Sequence, residues 1–148
     1  MSTFALTAIL IALFVAAVWA YSNQACKQAR AFDVRRLYGE LERNPNLPFS
    51  NEAAVDTDEK IRQRRDLQDV IKMHIDIRAL CKEQLASLSP EQIDTHAAVL
   101  AQAKRSIAEA MDLIVAEKLQ PALQHCRTAV LKLAELTAAT KTSAPPAA

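Results

Sequence analysis

Three histidines and three cysteines are the residues best suited to hold a metal or to do redox or nucleophilic chemistry: His74, His96, His125, Cys26, Cys81 and Cys126. A zinc site needs three or four convergent ligands, usually supplied as short-spaced pairs, and no pair here has that spacing. His74 and Cys81 share a helix face but lie two turns apart, about 10 Å along the axis, too far for one ion. His125 adjoins Cys126 yet projects about 100° away from it on a helix. No C-x-x-C-H haem attachment is present. The Glu-x-x-His signature of di-iron bundles is missing too, since the residues three before the histidines are Ile71, Ile93 and Ala122. Asp76 projects away from the apolar stripe of its helix, and Asp94 falls in a first helical turn, where the dipole accounts for it. The sequence therefore assigns no catalytic, cofactor-binding or metal residue, and the expectation is a non-enzyme without a cofactor. His74 reads as a hydrogen-bonded residue at the core edge, His96 and His125 as surface residues.

The cysteine count is odd, so at most one internal disulfide can form. On the cytoplasmic side of a membrane all three stay thiols, with Cys81 and Cys126 acting as small apolar groups. On an exported chain a Cys81–Cys126 bridge would staple two helices. Cys26, just beyond an apolar run, is placed where S-acylation occurs.

The elements that position these residues are helical. The chain has 148 residues, 18 Lys+Arg against 17 Asp+Glu, and one glycine. One glycine cannot build a phosphate-binding loop or a dinucleotide fingerprint, and it argues against tight-turned sheets. A net charge of +1 gives no field for holding nucleic acid.

Residues 3–21, TFALTAILIALFVAAVWAY, contain no charge, and the first charged side chain is Lys27. At about 1.5 Å per residue this run spans about 28 Å, close to a bilayer's hydrocarbon core. Phe4, Leu6, Ile9, Leu10, Ile11, Leu13, Phe14, Val15 and Val18 would face lipid, with Trp19 and Tyr21 at the headgroups. Val18-Trp19-Ala20 also resembles a signal-peptidase site with a cut before Tyr21. The absence of a basic residue before the run, and the length of the run, favour a retained anchor. Lys27, Arg30, Arg35 and Arg36 follow it. By the positive-inside rule they leave the N-terminus outside and the bulk of the chain on a cytoplasmic or matrix-like side. They also offer anionic lipid about 1 kcal/mol each.

Beyond the anchor (1–21), a juxtamembrane helix is expected over 22–43, containing Gly39. A Pro/Asn-rich linker follows at 44–51, where Pro45 and Pro48 stop the helix. Residues 52–140 read as an antiparallel helical hairpin or bundle. Ser50 or Asn51 can cap its first arm, and Ser89-Pro90-Glu91-Gln92 forms a capping box for its second. The second arm is expected to kink at Pro121, and 141–148 to form a disordered tail. Leu67, Val70, Ile71, Ile77, Leu100, Ile107, Met111, Ile114, Val130 and Leu133 recur at threes and fours, as a helix-packing interface requires.

The fold class expected is all-α: one transmembrane helix leading into a long hairpin or small bundle. The function expected is a non-catalytic, single-pass subunit or assembly factor of a membrane protein complex. Its partners would be other subunits or a second copy, together with membrane lipid and no nucleic acid. The alternative is a signal-cleaved, exported or periplasmic helical bundle that binds a ligand or protein and carries the Cys81–Cys126 bridge.

Overall fold

The computed structural model describes residues 3–48 and 58–142, with side chains placed from Ile9 onward. The described residues form five helices and no strand: α1 (Thr3–Arg43), α2 (Asp58–Ser87), α3 (Pro90–Thr95), α4 (Ala97–Val115) and α5 (Leu119–Thr142). The protein is all-α. It divides into two compact units, residues 1–36 and 37–148.

The first unit is helical throughout its described length, and α1 runs on unbroken to Arg43. Nothing in residues 3–36 breaks a helix. There is no proline or glycine, and Ala and Leu, the strongest helix formers, recur throughout.

The second unit is a bundle of α2, α4 and α5. Its stripes meet in a cluster of Ile77, Cys81, Ala103, Ala110, Cys126, Ala129 and Leu133, with Leu85 and Ile107 against it. Ala103 and Ala110 on α4, and Ala122 and Ala129 on α5, are fully buried. Their spacing of seven puts each pair on one face. Methyl-sized side chains there let α4 and α5 approach closely, toward the short end of the ~8–10 Å range for packed helices. Leu41, Ile71, Ile114, Leu133 and Leu136 supply the larger volumes, each contributing about 1.5–3 kcal/mol from burial. Gln84 Nε2 donates to Thr137 Oγ1 at 2.7 Å, and α4 connects the two as the reversing helix. α2 and α5 therefore run parallel, with α4 antiparallel to both.

Three expectations are corrected. The arm after Ser89 is not one helix with a kink at Pro121. α4 stops at Val115, and α5 starts at Leu119. The stop is a Schellman turn: Lys118 N–H donates to Leu113 O at 2.8 Å, and Glu117 N–H to Ile114 O at 2.9 Å, with Glu117 at φ 56°. Pro121 falls in the first turn of α5, where a backbone N–H has no helical acceptor, so its missing donor costs nothing and bends nothing.

The capping box at Ser89 is present. Gln92 N–H donates to Ser89 Oγ at 3.3 Å, and Ser89 N–H to Gln92 Oε1 at 3.0 Å. The helix it opens is only Pro90–Thr95, however, and the chain turns at His96 before α4. At the C-terminus, α5 extends through Lys141 and Thr142, so the first two residues assigned to a disordered tail are helical. The rest of that tail, the proposed caps Ser50 and Asn51, and residues 52–57 lie outside the described residues.

Candidate functional site

Two surfaces and one buried network stand out. The first surface is α1, which is long and apolar enough to cross a membrane. Ile9, Leu10, Ile11, Leu13, Phe14, Val15, Val18, Trp19 and Tyr21 are all exposed, Phe14 and Trp19 at 71% and 70%. A helix apolar all round and buried against nothing needs a non-aqueous environment or a partner. The side chains of Phe4 and Leu6 lie outside the described set. Lys27, Arg30, Arg35 and Arg36 are exposed.

The buried network lies in the second unit. His74 is 1% exposed. Its Nε2 is 2.8 Å from Ile107 O, and a carbonyl only accepts, so Nε2 carries the proton. With the ring neutral, Nδ1 is then an acceptor, and Tyr38 Oη donates to it at 2.8 Å. Arg78 Nη1 in turn donates to Tyr38 Oη at 3.0 Å and lies 3.4 Å from Glu42 Oε1. The guanidinium stacks over the Tyr38 ring at 5.9 Å, and the Tyr38 and His74 rings meet edge to face at 5.7 Å. Every proton in the chain thus points the same way: Arg78 to Tyr38 to His74 to Ile107. Burial lowers the His74 pKa and outweighs the bond to Ile107, and the nearby Arg78 charge lowers it further. The neutral ring the bonds require is also the one the environment favours. Burial raises the Tyr38 pKa, against the opposing effect of Arg78. The network ties the end of α1 to α2 and α4.

The second surface is a groove of about 800 Å³ between α2 and α5. Met73, Ile77 and Leu80 form one wall and Val130 and Leu131 the other, with Cys126 at the floor. Leu131 is 68% exposed. Asp69, Lys72 and Asp76 on α2 and Arg127 on α5 stand around it.

Most residues expected to form a packing interface are the protein's own core. Leu67, Val70, Ile71, Ile77, Leu100, Ile114 and Leu133 are buried inside the bundle. Ile107 and Met111 are half-buried, and Val130 alone of the set is exposed. Sequence reasoning missed Met73, Leu80 and Leu131. The signal was a second α2 flank, Asp69-Met73-Asp76-Leu80, at spacings of four, three and four beside the main stripe. Tyr38 and Arg78 were missed as well, because their partners lie 36 and 40 residues away.

Cys26 is exposed, Cys81 and Cys126 are buried, and all three are free thiols. Burial raises the thiol pKa of Cys81 and of Cys126, so both are poor nucleophiles at neutral pH. His125 Nδ1 lies 3.0 Å from Glu109 Oε2, on the surface between α4 and α5. His96 sits at the α3–α4 turn. Among the described residues no group of three His, Cys, Asp or Glu converges on a possible metal position.

Comparison with protein-family models, with curated proteins and with solved structures finds no match to this chain.

Proposed function

We propose that this protein is a non-catalytic, single-pass membrane protein that serves as an accessory subunit or assembly factor of a membrane complex through helix–helix packing. The observation that carries the reading is the exposed, uncharged face of α1 from Ile9 to Tyr21. Its exposure would cost about 25 cal/mol per Å² in water and is relieved in lipid. Lys27, Arg30, Arg35 and Arg36 then lie on the cytoplasmic or matrix-like face, where they also meet anionic headgroups. The second unit supplies the packing surface. Its core is filled by its own side chains, which leaves the α2–α5 groove as the apolar surface for a partner.

The test is mild-detergent extraction of tagged full-length chain from its native membrane, followed by identification of co-purifying chains. The expected result is a defined set of membrane proteins retained by wild type and lost by Leu131→Asp, with the helicity of the variant unchanged. Ile71→Asp is not a useful probe of contact, because Ile71 is fully buried in the bundle and its substitution would unfold it. A chain that remains in the aqueous phase without detergent contradicts the proposal.

A further inference from the structure

We propose that His74 is the catch of a pH-sensitive latch: a proton taken up at its Nδ1 releases residues 37–48 from α2, while α2, α4 and α5 stay assembled. The latch goes beyond the packing role proposed above and operates whatever anchors the chain.

Residues 37–48 belong to the second unit but not to its central core. The core cluster around Cys81, Ala110 and Ala129 draws on α2, α4 and α5 alone. The segment itself buries two side chains, Tyr38 and Leu41. Its described polar ties run to α2. Leu47 O accepts from Gln68 Nε2 at 3.1 Å, and Tyr38 Oη donates to His74 Nδ1 at 2.8 Å. Arg78 Nη1 reaches Tyr38 Oη at 3.0 Å and Glu42 Oε1 at 3.4 Å. A segment with so little buried apolar surface opens at lower free energy than the bundle it covers.

The ties of His74 respond unequally to a proton. Nε2–H donates to Ile107 O on α4 whether the ring is neutral or charged. Nδ1 accepts only while the ring is neutral. Once protonated it is a donor aimed at Tyr38 Oη, an oxygen that already accepts from Arg78. Two cations then share one hydroxyl oxygen, and the Tyr38 proton loses its acceptor. Charge on the ring therefore strains the α1 side and spares the α4 side. The groups that face His74 are Tyr38 from α1, with Glu42 behind Arg78, Arg78 from α2, the Ile107 carbonyl from α4, and the Cys126 thiol of α5 beside Tyr38. Glu42 is half-exposed, so solvent screens its charge and it offsets little of the second cation. Burial, and then Arg78, hold the proton off the latched ring. The latched segment is thus fully favoured above about pH 6.5, and less so as pH falls through the lowered folded value.

The experiment is a distance measurement between paired spin labels on full-length protein in detergent at pH 7.5 and pH 5, with far-UV circular dichroism on each variant. Arg43→Cys reports the segment and Ala108→Cys reports α4, both at exposed positions. Cys26→Ser removes the exposed native thiol, and Cys81 and Cys126 are buried. One narrow distance is expected at pH 7.5, joined at pH 5 by a longer, broad population. The ratio of open to closed should rise by up to about thirtyfold, the limit for a group that titrates near 6.5 when released. A control pair across α4 and α5, Ala108→Cys with Gln124→Cys, should keep its distance. His74→Gln should give the same distribution at both pH values. Arg78→Gln removes the facing cation and should shrink the pH response even if it raises the opening at pH 7.5. It carries the test if His74→Gln fails to fold. A wild-type distance unchanged at pH 5 overturns the proposal, because the Tyr38 hydroxyl then turns to accept from the charged ring. An equal change in His74→Gln also overturns it. So does movement of the control pair, which would make the loosening global.

Discussion

The Tyr38 hydroxyl donates to Nδ1 of His74 at 2.8 Å, in the interior of the second unit. Because Nε2 of the same ring is committed to Ile107 O, Tyr38 can donate here only to the neutral imidazole. A proton on Nδ1 would face the Tyr38 O–H, with Arg78 already donating to the same oxygen.

Tyr38→Phe should therefore destabilise the bundle by about 1–3 kcal/mol, the usual cost of leaving a buried acceptor unsatisfied. The loss includes the Arg78 partner as well as that of His74. Urea denaturation followed by circular dichroism measures it. A change under about 0.5 kcal/mol would show that water replaces the hydroxyl.

The same contact sets a pH dependence. The His74 pKa is lowered in the folded protein, so the unfolded chain binds more protons and stability rises with pH. The contribution is complete above the unfolded value of about 6.5. It is lost as pH falls through the folded value. His74→Gln can keep an N–H for Ile107 but does not titrate. Wild type should lose more stability than this variant between pH 7.5 and pH 5, and parallel losses would contradict the assignment.

Gly39 is helical, has no positive φ, and an added Cβ there meets nothing within 4 Å. Gly39→Ala should stabilise the helix by about 0.5–1 kcal/mol. The same denaturation experiment reads it, and a loss of stability would show that the chain needs Gly39 for a contact or a bend.

Glu117 is the opposite case. It holds φ 56° at the end of α4, where a side chain costs about 1–2 kcal/mol relative to glycine. Glu117→Gly should raise the melting temperature, with part of the gain offset by unfolded-state entropy. An unchanged or lowered melting temperature would mean that the Glu117 side chain contributes more than its backbone strain.

These residues also mark how far the sequence reaches. The helical stripes, the capping box at Ser89 and the apolar run of α1 were legible, because each is a local pattern with its own spacing. The end of α4 was not. The usual mark of that turn is glycine, and here a glutamate takes the left-handed conformation, so Pro121 drew attention to a position where it has no effect. The break at His96 was hidden for a similar reason, since Ile93, Ala97 and Leu100 keep a continuous stripe across it. For the candidate site, the chemistry of His74 was readable only as far as a hydrogen-bonded residue. Its partners Tyr38 and Ile107 are fixed by how the helices pack. The division between core and groove was not readable either: Val130 and Leu133 share one stripe, and only the packing leaves Val130 exposed while Leu133 is buried.

The most direct test of the membrane-anchor reading is the intact mass of the chain isolated from its native membrane after an alkaline wash. The proposal predicts a mass close to the full 16.3 kDa, including residues 1–20, in the washed membrane pellet. A mass beginning at Tyr21, recovered in the soluble fraction, would contradict it and make the protein an exported helical bundle.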